Sequence, residues 1–143
     1  MSVMSVMTEV LPRLFLGDRY AAESLGKFVP PGWHCISVTE YDGRGGRKDE
    51  IPNEPYGAAR IPFMDIPDKY TRRQTLDGLV VEIDSFLDAG KKVLVHCVQS
   101  KERSPLVIAW YLVRKQHAAT LDVAYDRLVI LHPRTERRLY WVQ

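Results

Sequence analysis

Long apolar runs are missing from this chain of 143 residues: the longest, residues 106–113, has eight, where a membrane-spanning helix needs about 20. The opening MSVMSVM carries no basic, apolar leader, so neither a secretory signal nor a membrane anchor is expected, and the expected location is cytoplasmic. Cysteine is scarce. Cys35 and Cys97 stand 62 positions apart without a Cys-x-x-Cys pair, which excludes a zinc cage or a disulfide framework and fits a reducing compartment. Charge of one sign is lacking too: 20 Lys and Arg against 18 Asp and Glu leave a net charge of +2, too little for the footprint of a dedicated nucleic-acid binder. Nucleic acid is therefore not an expected partner. There is no internal repeat, no low-complexity tract, and no GxGxxG, since the glycines at 43, 45 and 46 have the wrong spacing and no helical pattern follows them.

With 45% hydrophobic residues the chain can bury one sizeable core, and 1–143 reads as a single domain with residues 1–8 expected to fray. Short apolar runs at 14–16 and 34–39 are expected strands, with a third at 60–63. Between them, 41–57 (YDGRGGRKDEIPNEPYG) reads as a solvated surface loop carrying Arg44, Arg47 and Lys48. From Thr71 the apolar period changes. Leu76, Leu79, Val80, Ile83, Phe86 and Leu87 line one face of a helix that stops at Gly90. Residues 92–96 (KVLVH) then form a strand of the kind buried on both faces in a parallel sheet. Ser104-Pro105 is expected to open a buried helix, Thr120 a third one ending at His132-Pro133, and residues 134–143 a short amphipathic helix. Alternating strands and helices predict an α/β fold, a central mainly parallel sheet flanked by helices.

The informative stretch is VLVHCVQSKERSP, residues 93–105, where the buried strand runs through a tight turn into the buried helix. Ligands of α/β sheets bind at this end of the strands. Successive amides in such a turn converge, and the helix N-terminus adds its positive dipole end, so a phosphate-sized anion fits there. Cys97 would face that anion, in surroundings that stabilise negative charge on sulfur: N–H donors, the dipole and the guanidinium of Arg103. Cys-x5-Arg alone is a weak signal. Its context is stronger, because the apolar strand, His96 directly before Cys97, and Ser104-Pro105 at a helix start are independent requirements met together.

On these residues the chain resembles the cysteine-dependent phosphatases of the protein-tyrosine phosphatase superfamily, in particular the small dual-specificity type, whose signature is His-Cys-x5-Arg-Ser/Thr. The likeness extends over nearly the whole chain. LPRLFLGDRYAA (11–22) looks like the family's first strand and turn, and IPFMDIPD (61–68) lies where the family places its general-acid loop, with Asp65 32 residues before Cys97. The resemblance implies a dual-specificity-phosphatase-like fold and hydrolysis of phosphomonoesters through a phosphocysteine. Cys97 would be the nucleophile and Asp65 the acid and then the base. The amides of Val98, Gln99, Ser100, Lys101 and Glu102, with Arg103, would hold the phosphate, and Ser104 would donate to the departing sulfur. His96 would support the loop from behind. No metal and no cofactor are expected; the partner is a phosphorylated protein or peptide.

Ser100 and Glu102 depart from the family pattern of Gly three residues after Cys and a small residue before Arg. A positive φ at Ser100 would cost on the order of 1 kcal/mol relative to Gly. Ser100, Glu102, Arg103 and Pro105 together resemble the loop of the rhodanese-fold cell-cycle phosphatases, which makes Glu102 a second candidate acid; Asp68 is a third, and Asp65 is preferred. Lys101 matches a basic loop position of phosphoinositide phosphatases. The same chemistry on a phosphoinositide, a nucleotide or an RNA 5′-phosphate, a phosphate-binding module without turnover, and a sulfur-transfer or arsenate-reducing enzyme are the alternatives. Cys35 reads as an inert core residue unless it neighbours Cys97, Trp33, Trp110 and Trp141 as core or interface anchors, and Arg134, Arg137 and Arg138 as a solvated helix face.

Overall fold

The computed structural model describes residues 7–39, 54–61, 63 and 66–143. Apolar residues on both faces of KVLVH require cover on both sides, and this strand occupies the middle of a five-stranded sheet. Strands β1 (Met7–Leu11), β2 (Leu14–Gly17), β3 (Trp33–Ser37), β4 (Ala59–Arg60) and β5 (Lys92–His96) are ordered β1-β2-β5-β3-β4. β2, β3 and β4 run parallel to their inner neighbours; β1 is antiparallel to β2. The register sets Cys35 against Leu94 and Ser37 against His96.

Period-2 alternation sorts the side chains between two layers. Leu14, Leu16, Ile36, Val38, Val93 and Val95 join the main core beneath α2 (Lys69–Asp88), α3 (Arg103–Arg114) and α4 (Leu121–Leu131). Leu94 and Cys35 face the other way, against Ala21 and Ala22 of the short helix α1 (Arg19–Glu23). α2 and α3 are fastened by two polar clamps. Trp110 and Arg114 donate to Asp77 at 2.8 and 2.9 Å, and Tyr111 and Lys115 reach Asp84 at 2.6 and 2.8 Å. Among the described residues no helix is long and apolar enough to cross a membrane.

Several expected elements differ. β1 starts at Met7, inside the segment expected to fray, because its ladder to β2 already includes Met7 and Thr8. β4 has two residues rather than four; the Ile61 amide still donates to the Ser37 carbonyl at 2.8 Å, and Pro62 after it has no amide to extend a ladder. α3 begins at Arg103, not at Pro105, which is accommodated because first-turn amides have no helical acceptor. The helix expected over 134–143 shrinks to a three-residue 3-10 turn, Leu139–Trp141, because the polar groups of residues 132–138 are engaged elsewhere. Most of the 41–57 loop lies outside the described residues.

Candidate active site

β5 ends at His96, and residues 97–102 turn the chain into α3. Cys97 is 2% exposed, and Ser100 and Ser104 are wholly buried. Cys97 Sγ lies 3.1 Å from Ser104 Oγ, which lies 3.2 Å from Ser100 Oγ. A thiol and two hydroxyls are thus assembled at the sheet's carboxyl end.

The backbone carbonyls of the turn are all held from its periphery. His96 Nδ1 sits 3.4 Å from the Cys97 oxygen, the Arg19 amide donates to Val98 (3.0 Å), Arg134 to Gln99 (2.8 Å), His132 Nε2 to Ser100 (2.8 Å) and the Glu136 amide to Lys101 (2.7 Å). A trans peptide sets its N–H opposite its C=O. Carbonyls of residues 97–101 turned outward therefore leave the amides of 98–102 turned inward, the arrangement that binds an oxyanion. Arg103 is half-buried in the first turn of α3, and no side chain of Glu102 caps that helix end.

Ser100 has φ 56°, the left-handed conformation that glycine adopts without strain. Its hydroxyl offsets that strain through Ser104. Ser100→Gly should therefore change stability little, relief of about 1 kcal/mol cancelling a lost hydrogen bond of about 1 kcal/mol. Ser100→Ala keeps the strain and loses the bond. Its melting temperature should fall by roughly 3–5 °C relative to wild type, and thermal melts of the two variants side by side decide the matter.

The alternative acids are engaged otherwise. Glu102 turns its carboxylate to Arg138 Nε at 3.2 Å, away from the turn's interior. Asp68 caps α2, accepting from the Thr71 amide at 2.8 Å and its hydroxyl at 3.0 Å, and these bonds lower its pKa, which disfavours it as a proton donor. Asp65 lies outside the described residues, as do Arg44, Arg47 and Lys48. Beside it, Phe63 is buried against Trp141, and the Ile66 carbonyl accepts from Arg72 at 3.1 Å. Lys101 is half-buried and Gln99 exposed.

Cys35 is wholly buried, and burial together with the nearby Glu54 charge pushes its thiol up to about 12. It pairs with Leu94, three residues before Cys97, a separation of about 10 Å at strand rise and beyond disulfide reach. Arg134 and Arg138 are not a solvated helix face: the first holds Gln99 and Asp18, the second Glu102. Trp141 is 7% exposed and Trp33 packs on Phe15, while Trp110 serves the α2–α3 clamp.

Two groups escaped the sequence reading. Glu54, in the stretch read as solvated loop, places Oε1 3.4 Å from His96 Nε2 and Oε2 3.4 Å from Arg60. Burial, the largest single influence on Glu54, raises its pKa, but the nearby His96 ring, the Ser37 hydroxyl and the Arg60 charge together bring it below the usual 4.5. The only sequence hint was His96 itself, since a buried imidazole needs polar partners. Glu54→Ala should cost on the order of 3 kcal/mol, about 10 °C in melting temperature, and an unchanged melt would remove Glu54 from this role. Its lowered pKa means that the contribution is present above pH 4.5 and lost as pH falls through the folded value. His132 is the other, 1% exposed at the end of α4.

A strand, a turn with inward amides around a buried cysteine and a buried helix make a site able to receive an oxyanion beside a thiol. The model of the dual specificity phosphatase catalytic domain matches residues 34–141, and the chain belongs to that family. Mouse dual specificity protein phosphatase 13B is 30% identical over 125 residues, covering 81% of this chain and 60% of that protein's length. Among solved structures, human DUSP28 superposes with a TM-score of 0.68 at 23% identity, covering 97% of this chain and 89% of that one. A mouse protein described as a dual specificity phosphatase and complexed with zinc tungstate superposes at 0.69 and 23% identity, covering 99% and 84%. These likenesses establish the fold, a mostly parallel sheet flanked by helices.

Proposed function

We propose that this chain hydrolyses phosphomonoesters on tyrosine, and on serine or threonine, side chains of proteins through a phosphocysteine intermediate. The observation that carries the proposal is the ring of outward-held carbonyls around Cys97, with Ser104 at its sulfur. The substrate phosphate enters the turn, where the amides of 98–102 and the fork of Arg103 hold its non-bridging oxygens. Cys97 sulfur attacks phosphorus; the S–P bond forms as the bond to the leaving oxygen breaks, and that oxygen takes a proton from Asp65. In the second step Asp65 takes a proton from water, whose oxygen attacks phosphorus. The S–P bond breaks, phosphate departs, and Ser104 donates to the sulfur at 3.1 Å.

The two departures from the family pattern do not spoil the turn: Ser100 adopts the glycine-like φ, and Glu102 is turned to Arg138. Both favour turnover over a binding module. Cytoplasmic placement rests on two unpaired cysteines, which a reducing compartment preserves. The test is hydrolysis of aryl phosphates and of phosphotyrosine, phosphothreonine and phosphoserine peptides across pH 5 to 8, with tungstate as competitor. Phosphate release inhibited competitively by tungstate is expected. No turnover with tungstate binding intact would return the chain to the binding-module reading.

A further inference from the structure

We propose that His132 is a positioning residue for the phosphate-binding turn: with Thr8 it forms a strut that holds the Ser100 carbonyl outward and thereby aims the Lys101 amide at the anion. Thr8 is on edge strand β1, His132 follows the last turn of α4, and Ser100 is the left-handed residue at the middle of the turn. The strut therefore joins three segments far apart in the chain.

The hydrogen-bond roles follow from the atoms. A carbonyl can only accept, so the 2.8 Å contact from His132 Nε2 to the Ser100 oxygen requires a proton on Nε2. In the neutral ring Nδ1 is then an acceptor, and Thr8 Oγ1, also at 2.8 Å, donates to it. Both ring nitrogens are thus satisfied in one tautomer, and the ring cannot flip without breaking both bonds. Burial, the largest influence, and the Arg134 charge keep the ring below its usual pKa, against the Ser100 bond and Asp18, which raise it. The strut is neutral at neutral pH.

Ser100 is where such support matters most. A non-glycine residue with φ 56° relaxes toward negative φ if nothing holds it, and that rotation would swing the adjoining peptide and its inward amide. The neighbouring carbonyls are held by Arg19, Arg134 and Glu136, none of which touches the Ser100 oxygen. His132 has no reacting atom of its own to serve, and its effect passes through the turn.

The role in turnover rests on the phosphatase reading, but the strut is measurable without it, through the affinity for tungstate. His132→Phe should weaken tungstate binding and kcat/KM at least tenfold, while His132→Gln, whose side-chain amide donates at a similar reach, should stay within about threefold of wild type. Thr8→Val should lose a few fold in both. A folded His132→Phe that binds tungstate like wild type overturns the strut, as does a His132→Gln as impaired as His132→Phe. If His132→Phe does not fold, Thr8→Val at wild-type affinity overturns it. Wild type without turnover, but with tungstate affinity dependent on His132, defeats the phosphatase reading and leaves the strut standing.

Discussion

Cys97→Ser should abolish hydrolysis of an aryl phosphate, by on the order of 10⁴-fold or more, while the protein should stay folded and still bind tungstate. The size of the loss follows from the chemistry: a hydroxyl at this position is a far weaker nucleophile than sulfur, and the turn holds no base beside it to activate one. Retained folding follows from the packing. Cys97 sulfur makes a hydrogen-bond contact with Ser104 at 3.1 Å, which a serine hydroxyl can keep, and the outward carbonyl tethers do not involve the side chain at 97. Circular dichroism, melting and tungstate titration of the variant separate the loss of a reacting atom from the loss of a site. Residual turnover within tenfold of wild type would exclude Cys97 as nucleophile.

Asp65→Asn is the second large effect, about 10²–10⁴-fold on kcat. Its diagnostic is shape. The acid must be protonated to serve the leaving oxygen, so under the proposed mechanism wild-type kcat/KM should decline on the basic side, and Asp65→Asn should remove that decline. The loss should shrink for aryl phosphates with strongly acidic leaving groups, which depart without a proton, and grow for phenyl or alkyl esters. Glu102→Gln and Asp68→Asn should each retain the basic limb, because Glu102 is committed to Arg138 and Asp68 to the first turn of α2. If Glu102→Gln removes the limb instead, the acid belongs to the turn itself. pH profiles of the three variants on two esters decide between them.

The parts of this fold that were legible in sequence are those whose cause is local. Periodicity marks α2 because Leu76, Leu79, Val80 and Ile83 all enter one core, and it marks β5 because both faces of the strand are covered. The turn at Cys97 was legible because its requirements sit within 13 consecutive residues. What was missed is held by partners far away in the chain. Glu54 has no periodicity to betray it, and its place shows only when β4 and β5 are set on either side of β3. The tail beyond α4 was expected to form a short amphipathic helix over 134–143. Its His and Arg side chains and its Glu136 amide are instead spent on carbonyls 32–35 residues upstream, and backbone acceptors carry no sequence signal at all.

The outward tethers also make the turn answerable to distant parts of the chain. Val98 is held by an amide 79 positions earlier, and Gln99, Ser100 and Lys101 by groups 32–35 positions later, so local chain geometry alone cannot shape the turn. Its form is a property of the assembled domain, as the sheet is, where β2 and β5 also join residues 79 positions apart. A short peptide spanning residues 93–105 should therefore lack the oxyanion cradle that the whole domain holds in place.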